Sequence, residues 1–195
     1  MTGIILTGGK SSRMGRNKAF LRLNGEVIIE RTVRLFNDLF DEVILVTNSP
    51  DEYKYLNTRI VSDMYPQGGS LIGIYSGLYH SSSQYSFVAA CDMPFLKKGF
   101  IEYIIKQKDN YDIVIPFSKD GQEPLHAVYS RTCLKPMEGQ IKRGNLKIID
   151  IIPGLKARRI ERDEIIPFDP EFTSFINVNT PSELERAEKM ARKGS

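Results

Sequence analysis

Short apolar runs recur along the chain, separated by longer stretches whose apolar positions follow a helical period. GIILT (3–7), EVILVT (42–47), RIVSD (59–63), YSFVAAC (85–91) and YDIVIPF (111–117) are rich in β-branched and aromatic residues. Runs of about four to eight such residues suit strands of a sheet covered on both faces. PLHAVYS (124–130) and SFINVN (174–179) predict two later strands. EVIIERTVRLFNDLF (26–40) predicts a helix with Val27, Ile28, Thr32, Leu35, Leu39 and Phe40 on one stripe. SLIGIYSGLYHSS (70–82) is apolar enough to pack on a sheet, and KKGFIEYIIKQK (97–108) sets Phe100, Ile101, Ile104 and Ile105 at helical spacing. TPSELERAEKMARK (180–193) predicts a last helix with Thr180 at the N-cap, Pro181 at N1 and Glu183 at N3, a capping box. Residues 131–170, with their prolines, glycines and basic residues, give no readable pattern.

Strand alternating with helix predicts an α/β fold: three layers, Rossmann-like, with a mostly parallel central sheet flanked by helices. Right-handed crossovers then bring the carboxyl ends of the strands, and any ligand, to one edge. The 195 residues show no shift of composition, no repeat and no low-complexity stretch, so one domain over 1–195 is expected, with 193–195 a tail or the remnant of a tag. Apolar residues make up 41% and charged residues 26%, as in soluble globular proteins. A net charge of +3 is too mild to point to nucleic acid or to a membrane surface, and no basic stripe with interleaved aromatics is present. No run reaches the ~18 to 20 apolar residues of a membrane helix, and the N-terminus has no secretory pattern. Cys91 and Cys133 have neither metal-ligand spacing nor a disulfide framework. A cytoplasmic protein without nucleic-acid or membrane partners is the expectation.

The first chemistry lies in LTGGKSSRMGRNKAFL (6–21). Glycines directly after a strand let backbone N–H groups turn onto an anion, and Arg13 and Lys18 add positive charge. The spacing is neither that of a Walker A loop nor that of a dinucleotide fingerprint. A tight strand-to-helix turn with solvated basic residues accounts for it equally well. In SDMYPQGGSLIGI (62–74), Asp63 suits either a turn cap or the paired donors of a guanine edge. In FVAACDMPFL (87–96), a buried strand ends at Asp92 and Pro94 stops it. A carboxylate there suits magnesium, which takes one or two carboxylates with phosphate oxygens and water; a loop-capping Asp-x-Pro is the plainer alternative. Cys91 reads as a small packed hydrophobe. In GQEPLHAVYS (121–130), His126 reads as a structural residue of an apolar strand, with Glu123 and His126 weaker candidates to meet an acceptor. Asn177 and Asn179 alternate along the expected last strand, and their amides could face a ligand. Lys142 and Arg143 suit a solvated loop better than a phosphate site.

LTGGKSSRMGRNKAFL resembles the L-x-G-G-x-S-x-R-M-G-x-x-K-A motif of the MobA-like nucleotidyltransferases through Leu6, Gly8, Gly9, Ser11, Arg13, Met14, Gly15, Lys18 and Ala19. CDMPF, EPLHAVY and FINVNTPSEL resemble later motifs of the same family in the same order, so the likeness runs from residue 3 to about 190. Ser70 stands where the family's turn has proline, and Ser182 where an acidic residue is common. Within the family, the N-V-N segment is most similar to the guanylyltransferases of the molybdenum cofactor. The resemblance implies transfer of GMP from GTP to the terminal phosphate of molybdenum-molybdopterin, with release of pyrophosphate. It implies Leu6, Thr7, Gly8, Gly9 and Asp63 at the nucleotide, Lys18 and Arg13 at the phosphates, and magnesium on Asp92. It implies Asn177 and Asn179 on the acceptor side. Catalysis would then rest on Asp92, Lys18 and Arg13. Molybdenum insertion proteins and molybdoenzymes are the protein partners it suggests. Cytidylyl transfer to the same acceptor, nucleotidyl transfer to a sugar phosphate or phospholactate, and a non-catalytic nucleotide-binding module are the alternatives.

Overall fold

The computed structural model describes residues 1–7 and 18–193. In chain order they form β1 (Thr2–Leu6), the short strands β2 (Arg22–Leu23) and β3 (Glu26–Val27), α1 (Ile28–Leu39), β4 (Glu42–Val46), β5 (Arg59–Val61), α2 (Ser70–His80), β6 (Tyr85–Ala90) and α3 (Lys98–Lys106). There follow β7 (Ile113–Ser118), β8 (Gly121–Gln122), β9 (His126–Ser130), α4 (Leu134–Lys142), β10 (Ala157–Ile160), α5 (Arg162–Ile165) and α6 (Pro181–Lys193). Among the described residues, eight strands make one sheet in the order β10-β7-β9-β6-β1-β4-β5, with β8 paired to β7, while β2 and β3 form a separate hairpin. β1 lies parallel to β4 on one side and to β6 on the other, so Ile4 faces Ile44 and Val88. β9 runs antiparallel to both β6 and β7. The mostly parallel α/β sheet expected from the apolar runs is thus formed.

Strand alternation divides the core into two layers. Ile5, Leu45, Phe87 and Ala89 face Ile29, Val33, Phe36, Phe100 and Ile104 of α1 and α3. Ile4, Leu6, Ile44 and Val88 face Leu71, Ile74 and Leu78 of α2 and Met137 and Ile141 of α4. Gly77 lets α2 approach β1 closely, because a β-carbon there would lie 2.6 Å from Cγ2 of Ile4. A third, smaller cluster of Leu23, Ile28, Phe95, Val178 and Ala187 fastens α6 across the β2–β3 hairpin.

Three expectations need correction. The buried face of α1 is Ile28, Ile29, Thr32, Val33 and Phe36, while Leu35 and Leu39 are only partly covered. Phe36 decides this, since its ring packs on Phe40 and Phe87. The segment 174–179 is not a strand. Thr173–Phe175 is a 3-10 turn held by the buried Asp169 carboxylate, which accepts hydrogen bonds from Thr173 N, Thr173 Oγ1 and Ser174 N. Ser174 N is spent on that carboxylate and Ile176 N on the carbonyl of Thr173, while Val178 N and Asn179 N donate to Asp92 O and Glu183 Oε2 rather than to a neighbouring strand. Residues 131–170, which carry no readable sequence pattern, form α4, β10, α5 and 3-10 turns, so Lys142 lies in a helix rather than in the solvated loop expected for it. Lys142 closes α4 and pairs with Glu138 one turn earlier at 2.6 Å, the ordinary i,i+4 arrangement.

Candidate active site

The parallel strands β1, β4, β5 and β6 all end on the same edge, where open α/β sheets bind ligands. β1 ends at Leu6, whose carbonyl accepts a hydrogen bond from Cys91 N at 3.0 Å, so the tips of β1 and β6 are joined. Thr7 is pinned beside β4, donating through both its amide and its hydroxyl to the carbonyl of Val46. Gly8, Gly9 and Arg13 lie outside the described residues.

Asp92 follows β6 by one residue beyond Cys91. Its carbonyl accepts from Val178 N at 2.9 Å, which draws the segment before α6 over the strand end. Burial pushes the Asp92 carboxyl above its ordinary value; the Lys18 ammonium opposes this and the Glu183 charge adds to it. Lys18 opens a 3-10 turn whose Ala19 is fully buried, and its Nζ donates to Asn179 Oδ1 at 2.5 Å. Glu183 Oε2 accepts from the amides of Asn179 and Thr180, while Thr180 Oγ1 accepts from Glu183 N. The capping box expected at the start of α6 therefore also holds Asn179 beside Lys18. Lys18, Asp92 and Asn179 converge, although they are far apart in sequence. Asn177 points elsewhere: it is exposed, and its Nδ2 donates to Phe175 O at 3.4 Å.

On the β4–β5 side of this centre lies a narrow crevice lined by Leu6, Val46, Thr47, Asp63, Gly69 and Gly73. Gly68 and Gly69, at φ +67° and +105°, make the turn into α2 that leaves Asp63 facing it. Sequence reasoning missed a partner here. Asn48 Nδ2 donates to Asp63 Oδ2 at 2.8 Å, and Asp63 N donates to Asn48 Oδ1 at 3.1 Å. Burial raises the Asp63 carboxyl, and the Asn48 amide offsets part of that rise. The available signal was a polar residue just past the end of β4, on the edge where Asp63 leaves β5.

On the opposite side, between α6 and the β7–β8 hairpin, lies a cavity of about 460 Å³ that includes Phe175, Asn177, Glu183 and Arg186 in its lining. His126 does not reach it. The ring is fully buried, stacked on Phe100 at 5.3 Å and met edge-on by Phe87 and Phe175, and neither ring nitrogen has a hydrogen-bond partner. Burial lowers its pKa to about 3, with the Asp169 charge acting in the other direction. Such a ring is a structural residue, as the sequence reading favoured. Glu123 is held by Ser118 Oγ, and burial raises its carboxyl. Cys91 is buried, and burial pushes its thiol far up, so it is no nucleophile.

Among the described residues no group of three or more His, Cys, Asp or Glu side chains forms a metal cage. A lone strand-end carboxylate is a donor set that fits magnesium, which fills its octahedron with substrate phosphate oxygens and water, and does not fit a structural zinc.

The family described as the MobA-like NTP transferase domain matches residues 3–156. A molybdenum cofactor guanylyltransferase of Desulfosudis oleivorans is 40% identical over 196 residues, covering 100% of this chain and 97% of that protein. The crystal structure of molybdopterin-guanine dinucleotide biosynthesis protein A from Archaeoglobus fulgidus superposes with a TM-score of 0.86 at 30% identity, over 99% of this chain and all of that one. The 2-C-methyl-D-erythritol 4-phosphate cytidylyltransferase of Thermus thermophilus shares the fold, with a TM-score of 0.70 at 16% identity over 97% of this chain and 98% of that one.

Proposed function

The chain belongs to the MobA-like NTP transferase family, and we propose that it transfers GMP from GTP to the terminal phosphate of molybdenum-molybdopterin, releasing pyrophosphate. It is a nucleotidyltransferase, a molybdenum cofactor guanylyltransferase by its likeness to named relatives over the whole chain. The observation that carries the reading is the convergence of Asp92, Lys18 and Asn179 at the tip of β6, with an Asp63 crevice on one side and a larger cavity on the other. A two-substrate transfer needs that layout: a donor pocket, an acceptor pocket and a charged centre between them.

The donor nucleoside sits toward Leu6, Thr7 and Asp63. A carboxylate opposite the N1–H and 2-amino donors of guanine makes two charge-assisted hydrogen bonds, and Asn48 keeps that carboxylate oriented. Lys18 takes phosphate charge, joined by Arg13 and by the amides of Gly8 and Gly9. An oxygen of the acceptor phosphate attacks the α-phosphorus of GTP, a new P–O bond forms, and the bond to the β-phosphate oxygen breaks. The attacking phosphate is already ionised at neutral pH, so no general base is required. Alignment and neutralisation of charge carry the reaction. Asp92 would hold magnesium, whose chemistry when bound is to neutralise charge on the phosphates. The Lys18 to Asn179 hydrogen bond keeps the ammonium aimed at the centre before substrate arrives. Asn179, and Asn177 from the far side, serve the acceptor. The reaction belongs in the cytoplasm, handing its product to molybdenum insertion proteins and molybdoenzymes; no helix among the described residues is long and apolar enough to cross a membrane.

The reading is tested by thermal stabilisation with GTP, CTP, UTP, ATP and dTTP, each with and without magnesium. Ligands that bind only the native state raise its stability by mass action. A shift with GTP alone, larger with magnesium, is expected. An equal or larger shift with CTP would move the chain to cytidylyl transfer on the same fold.

A further inference from the structure

Lys18 carries its charge on a long flexible stem, so where the ammonium reaches depends on the turn that bears it. That turn, Lys18–Phe20, is three residues long and is closed by Leu21 N donating to Lys18 O at 3.1 Å. A 3-10 turn this short has little stability of its own, and its place is set by what its side chains meet. Ala19 is fully buried. Phe20 is only partly buried, and its ring stacks on Tyr53 with centroids 5.1 Å apart and planes 26° from parallel. Tyr55 meets the same ring at 6.4 Å.

Tyr53 is the fixed side of this contact. It is 1% exposed and lies in the 3-10 segment Pro50–Leu56. The segment is tied back to β4 at both ends. Ahead of it, Ser49 N donates at 3.1 Å to Oγ1 of Thr47, the residue after β4; behind it, Thr58 Oγ1 donates to Val43 O at 3.1 Å. Asn48, whose side chain orients Asp63, stands at its entrance. One short segment therefore carries both the amide that orients Asp63 and the ring that seats the Lys18 turn. Asn179 holds the Lys18 ammonium from the α6 side, and the Phe20–Tyr53 stack holds the backbone end of the same residue.

We propose that Tyr53 is a positioning residue for Lys18: its ring, stacked on Phe20, fixes the turn from which Lys18 reaches the phosphates, and joins that turn to the Asn48–Asp63 side of the site. The proposal rests on the reading that places Lys18 at the phosphates of the donor nucleotide. The ring acts through Lys18 and not through the nucleoside crevice, so its loss is felt by a triphosphate and not by a bare nucleoside.

Equilibrium dialysis of the full chain with magnesium measures the binding of GTP and of guanosine, which has no phosphate. Tyr53→Leu removes the ring and keeps an apolar side chain; Tyr53→Phe keeps the ring. Tyr53→Leu is expected to bind GTP about tenfold more weakly, the scale of losing one charged hydrogen bond, with guanosine binding unchanged, while Tyr53→Phe binds GTP as wild type does. Phe20→Leu, at the partly exposed partner, is expected to show the same selective loss and carries the test if the buried variant does not fold. In a Lys18→Ala chain, adding either leucine substitution is expected to cost GTP nothing further. Equal losses of GTP and guanosine, or a further loss in the Lys18→Ala chain, overturn the proposal and make the stack a support of the fold alone. Wild-type GTP binding by both leucine variants overturns it too; if Lys18→Ala still weakens GTP, the phosphate reading stands without it. A Lys18→Ala chain that binds GTP as wild type does removes the phosphate reading itself, and the proposal with it.

Discussion

Nζ of Lys18 donates a hydrogen bond to Oδ1 of Asn179 at 2.5 Å, joining residues 161 positions apart in the chain. The pair ties the 3-10 turn that Lys18 opens to the entrance of α6 and places a cation next to Asp92. Lys18→Ala removes the charge itself, and kcat/KM for GTP is expected to fall about 10²–10³-fold. Asn179→Ala leaves the charge but frees the side chain, and a smaller loss of about tenfold is expected. Steady-state release of pyrophosphate measures both; equal losses would mean that Asn179 does more than hold Lys18.

Asp92 is placed for function at the expense of stability. Burial raises its carboxyl pKa in the folded chain, so the folded state favours the protonated acid more than the unfolded state does. The charge therefore costs stability in full above the raised folded value, and the cost shrinks as pH falls below that value and is gone at the unfolded one. Asp92→Asn is expected to melt about 2 °C or more above wild type at pH 7, with the gap closing toward pH 4, while turnover drops about 10²–10³-fold. Thermal melts at both pH values and a pyrophosphate assay decide this. A variant that keeps wild-type turnover would remove Asp92 from the centre.

His126 gives a second pH signature. Its folded pKa is depressed to about 3 from an ordinary 6.5 by burial among Phe87, Phe100 and Phe175. Between those values the unfolded chain binds a proton that the folded chain refuses. The favourable contribution is complete above about pH 6.5 and declines as pH falls toward 3. His126→Phe keeps the ring stack and removes two unpartnered nitrogens. It is expected to be at least as stable as wild type at pH 7 and to lose less melting temperature on acidification to pH 4. Parallel melting curves for the two chains would contradict the buried, neutral assignment.

Gly77 tests the packing of α2 on the central strand. A β-carbon 2.6 Å from Ile4 Cγ2 must push the helix off β1, and Gly77→Ala is expected to cost about 1–3 kcal/mol. Urea unfolding measures it. Because α2 begins at the Asp63 crevice, weaker GTP binding should accompany the loss.

The central strands were legible in the sequence because burial on both faces leaves continuous apolar runs such as GIILT and FVAA. Asp92 was legible for a related reason, as a carboxylate ending such a run. The last expected strand misled because Phe175, Ile176 and Val178 look like strand residues, while the Asp169 carboxylate that bends this segment comes before it and shows no periodicity. The face of α1 was misjudged because apolar residues surround much of the helix, and only Phe36 against Phe87 fixes its rotation. Contacts between distant residues left no local trace. Asn48 with Asp63, Lys18 with Asn179 and the aromatic enclosure of His126 all depend on which strand tips become neighbours.

The most direct test of the account is anaerobic incubation of the chain with molybdenum-molybdopterin, magnesium and an equimolar mixture of GTP and CTP. Mass spectrometry would identify the dinucleotide product, and pyrophosphate would be counted alongside it. Molybdopterin guanine dinucleotide as the dominant product, with one pyrophosphate released per dinucleotide, is the predicted result. A cytosine dinucleotide, or pyrophosphate release without any dinucleotide, would contradict guanylyl transfer at the Asp92–Lys18 centre.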